Sequence, residues 1–147
     1  MHIISARESD KDNGCIANTC FQVAENPNKL AISMQVKNLT REMIERTGQF
    51  NVSVLTEAVP FETIRHFGMQ SGRDVDKFES FPGVKRSHNG LVYVAENTNA
   101  MFSCKVISKQ ELGSHVLFVG EVTESKVLSE DPSCTYAYYH KAIKPKF

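Results

Sequence analysis

Lys37, Asn38 and Thr40 stand together where the sequence predicts the start of a helix. Either Asn38 or Thr40 is suited to cap this helix, which we expect to run to about Thr47 and to end at Gly48. The N-terminus of a helix attracts anions, because unpaired backbone N–H groups and the helix dipole both point there. The spacing therefore predicts a phosphate site at this position.

The strand that leads into this site has one small and polar face. Its alternation predicts core positions at Leu30, Ile32, Met34 and Val36, and opposite-face positions at Ala31, Ser33 and Gln35. Upstream, residues 14–23 read as one long strand, which a turn at Asn26-Pro27-Asn28 joins to the second strand. A small polar wall beside an anion site suits a flat ligand with a phosphate tail.

This region resembles the flavin reductase family, whose fold is the FMN-binding split β-barrel. The resemblance lies in Gly14-x-x-Ala17-Asn18-Thr19, in the turn with Pro27, and in Lys37-Asn38-Leu39-Thr40. Ile16 stands where Thr is frequent in the family, so we assign Ile16 no polar contact.

Segments further along the chain are similar to the same family. Gly113-Ser114-His115-x-Leu117-Phe118-x-Gly120-Glu121-Val122 matches a family pattern in which Asp usually stands at the position of Ser114. His66-Phe67-Gly68 and Asp76-Lys77-Phe78 match a turn and a D-x-F element that cover part of the flavin in that family. Without the resemblance, residues 71–78 read as a solvated loop or a short helical turn.

The resemblance implies FMN as the cofactor, NADH or NADPH as the electron donor, and a catalytic position for His115 near the nicotinamide side of the flavin. It implies that main-chain N–H groups of Asn18 to Cys20 meet the N5 and O4 edge of the ring, and that Ser33 and Gln35 meet the pyrimidine edge. The implied cofactor-binding residues are Ala17, Asn18, Thr19, Cys20, Gln22, Ser33, Gln35, Lys37, Asn38, Thr40 and Phe67.

The family resemblance also bears on partners and on the extent of the chain. It implies a homodimer with FMN at the subunit interface. The chain is most similar to flavoredoxin-like domains and to domains fused to rubredoxin, which implies rubredoxin or a flavoprotein as an electron acceptor. Because the family has a helix and half a strand before His2, we expect the natural protein to begin earlier.

Most remaining elements read as short strands joined by turns of hairpin length. The expected elements are strands His2–Ala6, Gln49–Leu55, Val84–Arg86, Leu91–Val94, Ala100–Ile107 and His115–Thr123, and a helix from Phe61 to Phe67. Asn13-Gly14 predicts a hairpin turn, and Gly120 predicts a bulge or a close approach of backbone. The pattern predicts an all-β barrel or sandwich with minor helices. The resemblance implies that this fold is a mainly antiparallel Greek-key split barrel with two or three short helices.

Composition limits the class of protein. The 147 residues have a formal net charge of 0 and are 41% hydrophobic, which predicts one domain over residues 1–147 and gives no electrostatic case for nucleic acid or a membrane surface. No apolar run approaches the roughly 20 residues that a transmembrane helix needs, and no signal peptide is evident, so we expect a cytoplasmic protein. Cys15, Cys20, Cys104 and Cys134 lack metal-ligand spacing, so no metal site is predicted.

Three functions are compatible with these residues. The first is an FMN-dependent NAD(P)H oxidoreductase that passes electrons to free flavin, iron or a redox protein. The second is an electron-transfer module that binds FMN but accepts no hydride, which the replacement at Ser114 favours. The third is a pyridoxamine-phosphate-oxidase-like branch of the same barrel, for which Arg73, Lys85 and Arg86 are available as basic residues.

Overall fold

The computed structural model describes residues 1–146, and a seven-stranded antiparallel sheet forms most of it. The strands are β1 His2–Glu8, β2 Lys11–Ala17, β3 Cys20–Glu25, β4 Asn28–Gln35, β5 Gln49–Leu55, β6 Val84–Arg86, β7 Val92–Val94, β8 Thr98–Glu111 and β9 His115–Val127. The helices are α1 Leu39–Thr47, α2 Phe61–Gly68 and α3 Tyr136–Tyr138, and a π-helical turn follows at Tyr139–Ile143.

The order of strands explains why the sheet closes into a split barrel. The order is β2-β1-β5-β8-β9-β4-β3, with β6 and β7 pairing separately. Although β2 and β3 lie at opposite edges, only Asn18 and Thr19 separate them along the chain. The two edges must therefore meet, and the N–H of Ser33 in β4 donates to the carbonyl of Thr19 at 3.4 Å. The predicted fold class is confirmed.

The same closure corrects one predicted strand. Residues 14–23 do not form a single strand, because the chain leaves the β1 ladder after Ala17 and joins the β4 ladder at Cys20. Neither Asn18 nor Thr19 is a glycine or a proline, the residues that most often mark such a break.

The first hairpin turn also differs from its prediction. Glu8 pairs with Lys11, so the turn consists of Ser9 and Asp10, whose φ angles are 50° and 64°. Positive φ at both central residues is the geometry that matches the twist of a two-residue hairpin. The Asn13-Gly14 pair lies inside β2, where a Cβ on residue 14 would approach the ring of Phe78 to 3.0 Å.

The predicted start and end of α1 are confirmed. The side chain of Asn38 caps the helix, accepting from the N–H of Thr40 at 2.8 Å and from the N–H of Arg41 at 3.3 Å. Gly48 ends it with a φ of 74°. Met43 and Ile44 are buried against the barrel.

Two apolar clusters hold the barrel and α2 in place. The interior cluster includes Ile32, Phe50 and Phe118, and the second cluster packs Ile64 and Phe67 of α2 against the outside of the sheet. Gly120 confirms the predicted close approach, because a Cβ there would lie 2.8 Å from the ring of Phe50 and from Cβ of Cys104.

The predicted core position at Val36 is wrong. β4 ends at Gln35, and the Val36 side chain is 37% exposed. Strand β5 and helix α2 match their predicted positions closely, whereas β8 and β9 are longer than expected. Within residues 1–146, no helix is both long and apolar enough to span a membrane.

Candidate functional site

The split in the barrel forms a cavity of about 190 Å³ between the free edge of β2 and strand β4. We call it the β2–β4 cavity. Its lining residues are Cys15, Ile16, Ala17, Asn18, Ser33, Met34, Gln35, Asn38, Phe67, Gly68, Gln70, Lys77 and His115. Main chain and small or uncharged side chains therefore make up most of its wall.

A second recess of about 470 Å³ adjoins this cavity at the start of α1. We call it the α1 recess. It shares Gln35, Asn38 and Lys77 with the β2–β4 cavity and adds Asn13 and Lys37. Sites for small ligands span roughly 300–1,000 Å³, so the two spaces together are large enough for one.

The structure brings together most of the residues predicted for the site. Those that line the β2–β4 cavity are Ala17, Asn18, Ser33, Gln35, Asn38, Phe67 and His115, and Lys37 lines the α1 recess. They converge because β2 and β4 face each other across the split, while α1 begins just past the end of β4.

Thr19 and Cys20 follow Asn18 but line neither space. The Cys20 side chain packs against the barrel interior, and burial raises the pKa of its thiol to about 12. The thiol is therefore protonated at neutral pH, which favours a packing role over thiol chemistry.

Gln22 and Thr40 line neither space. The amide of Gln22 donates to the carbonyl of Ala24 and to Oδ1 of Asn28, so it belongs to the β3–β4 hairpin and lies outside both spaces. Thr40 is fully buried, and its hydroxyl accepts from Nδ2 of Asn13 at 2.9 Å. Its side chain joins α1 to β2 and is not presented to a ligand.

The anion site at α1 is also more restricted than expected. Asn38 already accepts from the N–H groups of Thr40 and Arg41, so these main-chain donors are occupied. The Asn38 amide nitrogen, the exposed Lys37 ammonium and the helix dipole remain to attract an anion.

His115 lies on the cavity wall, half-buried, opposite Gln35 in the β4–β9 ladder. Oγ of Ser114 is 2.8 Å from Nδ1 of His115. A serine hydroxyl can donate or accept, so it can fix the imidazole in one orientation, the task that a carboxylate performs elsewhere.

Lys77 is the main residue that sequence reasoning missed. Without the family resemblance its segment reads as a solvated loop or a short helical turn, yet Lys77 is only 3% exposed and lines both spaces. Its Nζ donates to the carbonyls of Gly14 and Phe67, each at 2.9 Å. The matching Asp76-Lys77-Phe78 element was a usable signal, but burial of the lysine also depends on its contact with Gly14 in β2, 63 residues away in sequence.

The residues present fit a ligand that is flat at one end and anionic at the other. The β2–β4 cavity is a narrow space between two strands, and the α1 recess contains Lys37 beside a helix N-terminus. The buried ammonium of Lys77 lies at the junction of the two spaces without a carboxylate partner among residues 1–146.

Comparison with known proteins agrees with this arrangement. The family model described as flavin reductase like domain matches residues 1–146. A high molecular weight rubredoxin from Moorella thermoacetica is 40% identical over 141 residues, which cover 96% of this chain. The chain spans 61% of the length of that rubredoxin.

Another relative and a solved structure extend the comparison. A ferric-chelate reductase (NAD(P)H) from Archaeoglobus fulgidus is 34% identical over 148 residues, covering 99% of this chain and 86% of the relative. The crystal structure of an FMN-binding protein from Thermus thermophilus superposes with a TM-score of 0.79 at 22% identity, covering 86% of this chain and 69% of that one. The superposition supports the split-barrel fold.

The family model covers nearly the whole described chain, and the ferric-chelate reductase is similar over most of its own length. This chain therefore belongs to the flavin reductase like domain family, and its fold is the split barrel.

Proposed function

We propose that the chain binds FMN, takes a hydride from NADH or NADPH, and passes the electrons to free flavin, to iron or to a redox protein. One observation carries this proposal: the β2–β4 cavity leads directly into the cationic α1 recess and has His115 on its wall. A flat ring and a phosphate tail fit these two spaces in that order. The relatives named as a ferric-chelate reductase (NAD(P)H) and as a rubredoxin support a nicotinamide donor and an iron acceptor.

When bound, FMN supplies the redox chemistry by accepting a hydride and giving up its electrons. The residues of the chain bind the FMN and orient it. The edge of β2 at Ile16 to Asn18 and the side chains of Ser33 and Gln35 would hold the ring, while Lys37 and Asn38 would hold the phosphate. Phe67 is fully buried behind the cavity and excludes water from that side.

His115 would lie toward the nicotinamide. Its hydrogen bond with Ser114 holds the imidazole in place, so the replacement of Asp by Ser leaves an orienting partner present. This contact supports the hydride-accepting reading over an electron-transfer module that takes no hydride.

The oxidase-like reading receives less support from the geometry. Arg73 forms an ion pair with Glu42, and Arg86 forms one with Asp12. Two of the basic residues considered for a substrate phosphate are therefore already paired within the chain.

A binding experiment tests the phosphate end of the site. Lys37→Ala should weaken FMN binding about 10- to 100-fold, since a charge-assisted hydrogen bond contributes about 1.5–3 kcal/mol. Riboflavin lacks the phosphate, so its affinity should not change. Fluorescence titration of both ligands measures this, with Lys85→Ala, an exposed lysine outside both spaces, as the matched control. Equal FMN affinity in Lys37→Ala and in the unmodified protein would remove the phosphate site from the α1 recess.

A further inference from the structure

Lys77 holds a buried positive charge that the chain itself does not neutralise. Both protein partners of its ammonium are main-chain carbonyl oxygens, those of Gly14 and Phe67. None of the ion pairs among residues 1–146 includes Lys77. Burial lowers the pKa of Lys77, because desolvation disfavours the charged form, while the nearby Cys15 thiol acts in the opposite direction.

A buried charge of this kind costs stability unless a partner compensates it. An ammonium has three N–H donors, and the two carbonyls leave one of them for a ligand. Because Lys77 lines the β2–β4 cavity, we expect that donor to reach a molecule bound there. Charged groups placed in this way are common at functional sites.

The surrounding residues hold Lys77 in place at both its main chain and its side chain. Nε2 of His66 donates to the carbonyl of Lys77 at 2.6 Å, and Oδ1 of Asp76 accepts from the N–H of Phe78 at 3.1 Å. The ring of Phe78 packs against that of Phe67, with centroids 5.2 Å apart. A charge fixed in advance stabilises a developing opposite charge without the cost of reorganisation.

We propose that Lys77 is the electrostatic partner of the reduced flavin ring and raises the reduction potential of bound FMN. This inference rests on the proposed function. A hydride from NAD(P)H brings two electrons and one proton to the neutral oxidised ring, so the ring gains one negative charge and the nicotinamide leaves as NAD(P)⁺. The ammonium of Lys77 attracts that new charge and attracts the neutral ring less, so it favours the reduced state.

The test is the midpoint potential of bound FMN, measured by anaerobic titration with a reference dye. Lys77→Gln removes the charge but keeps an amide that can donate to the carbonyls of Gly14 and Phe67. Affinity for reduced FMN should fall about 10- to 100-fold more than affinity for oxidised FMN, by analogy with other charge-assisted hydrogen bonds. For a two-electron couple this corresponds to a potential about 30–60 mV more negative. Lys77→Met is a second neutral variant, in case the glutamine substitution prevents folding.

Lys11→Met is the matched control. Lys11 is exposed, and its Nζ donates to the carbonyl of Gly72 at 2.8 Å, but it lines neither the cavity nor the recess. Its replacement removes a lysine that contacts the segment between α2 and β6, which also contains Lys77. This replacement should leave the midpoint potential of bound FMN unchanged.

The remaining outcomes separate this inference from the proposed function. An unchanged potential in Lys77→Gln, with FMN still bound, overturns the inference and leaves the proposed function intact. A potential shift that occurs with FMN but vanishes with riboflavin assigns Lys77 to the phosphate and also overturns it. If the unmodified protein binds FMN in neither redox state, the proposed function and the inference both fail.

Discussion

At the scale of single residues, the predicted site agrees best with the structure where a side chain lies on a strand that faces the split. Ser33, Gln35 and His115 line the cavity as the family resemblance implied. The alternation of β4 determines the faces of Ser33 and Gln35, so their positions could be read from the sequence. The roles of these residues toward FMN stay predictions.

Thr40 and Lys77 show why the remainder could not be predicted. The hydroxyl of Thr40 accepts a hydrogen bond from Asn13, and the ammonium of Lys77 donates to the carbonyls of Gly14 and Phe67. Asn13 lies 27 residues from Thr40, and Gly14 lies 63 residues from Lys77, so neither burial follows from the local pattern. The sequence does not distinguish a polar residue that contacts the ligand from one that stabilises the protein around the ligand site.

His115→Ala should slow reduction of bound FMN by NAD(P)H at least about tenfold, because loss of an orienting group misplaces the reacting atoms. FMN affinity should change much less, since His115 lies on the cavity wall away from the phosphate end. Anaerobic stopped-flow absorbance gives the reduction rate, and a fluorescence titration gives the affinity. Ser114→Ala serves as a graded comparison, because it removes the hydrogen bond to His115 and keeps the imidazole. An unaltered reduction rate in His115→Ala would make this residue structural.

At the scale of elements, local signals placed α1 and β5 correctly. Asn38 and Gly48 mark the ends of α1 through a side-chain cap and a positive φ, both of which depend on one or two residues. The break between β2 and β3 has no such local cause, because it results from closing the sheet at its two edges. An element whose ends are marked by local residues, such as α1, could be predicted. The boundary between β2 and β3 could not, because it depends on how the sheet closes.

The link between α1 and β2 gives a prediction about stability. Thr40→Val keeps the shape of the side chain but leaves Nδ2 of Asn13 buried without its partner. The free energy of unfolding should fall by about 1–3 kcal/mol, the usual cost of an unsatisfied buried donor. Urea denaturation measures this loss.

Thr47→Val is the control within the same helix, since Thr47 is exposed and bonds only to the carbonyl of Met43. Its effect on the free energy of unfolding should be small. Similar losses for the two variants would argue against a special role for the Asn13–Thr40 contact.

At the scale of the whole molecule, the barrel brings His2 of β1 into a desolvated position beside the end of β2. Nδ1 of His2 lies 3.2 Å from the carbonyl oxygen of Ala17. Burial, with a further contribution from the Met1 amino group, lowers the pKa of His2 from 6.5 to about 4. Folding therefore favours the neutral imidazole.

This shift predicts a loss of stability at mildly acidic pH. Because the pKa of His2 is lower in the folded state than in the unfolded one, its contribution to stability is fully present above pH 6.5. That contribution is lost as the pH falls toward 4. Between about pH 7.5 and pH 5, the free energy of unfolding should fall by about 2 kcal/mol from this group. His2→Gln should flatten that part of the profile in urea denaturation, whereas His88→Gln, at a side chain that is 91% exposed, should not. A profile for His2→Gln that matches the unmodified protein would contradict the assignment.

The homodimer with FMN at its interface remains a prediction from the resemblance, as do the cytoplasmic location and the electron acceptor. Exposed apolar side chains on the edge strand β3, at Phe21 and Val23, are compatible with a covered surface. The fold itself is the part of the whole-molecule prediction that the structure confirms.

The most direct test of the central claim is the visible flavin absorbance of the FMN-loaded protein, recorded before and after anaerobic addition of NADH or NADPH. We expect the flavin band to bleach with at least one of the two nucleotides. A band that persists with both, yet bleaches with dithionite, would contradict hydride transfer and identify an electron-transfer module. Failure to retain FMN at all would contradict the assigned site.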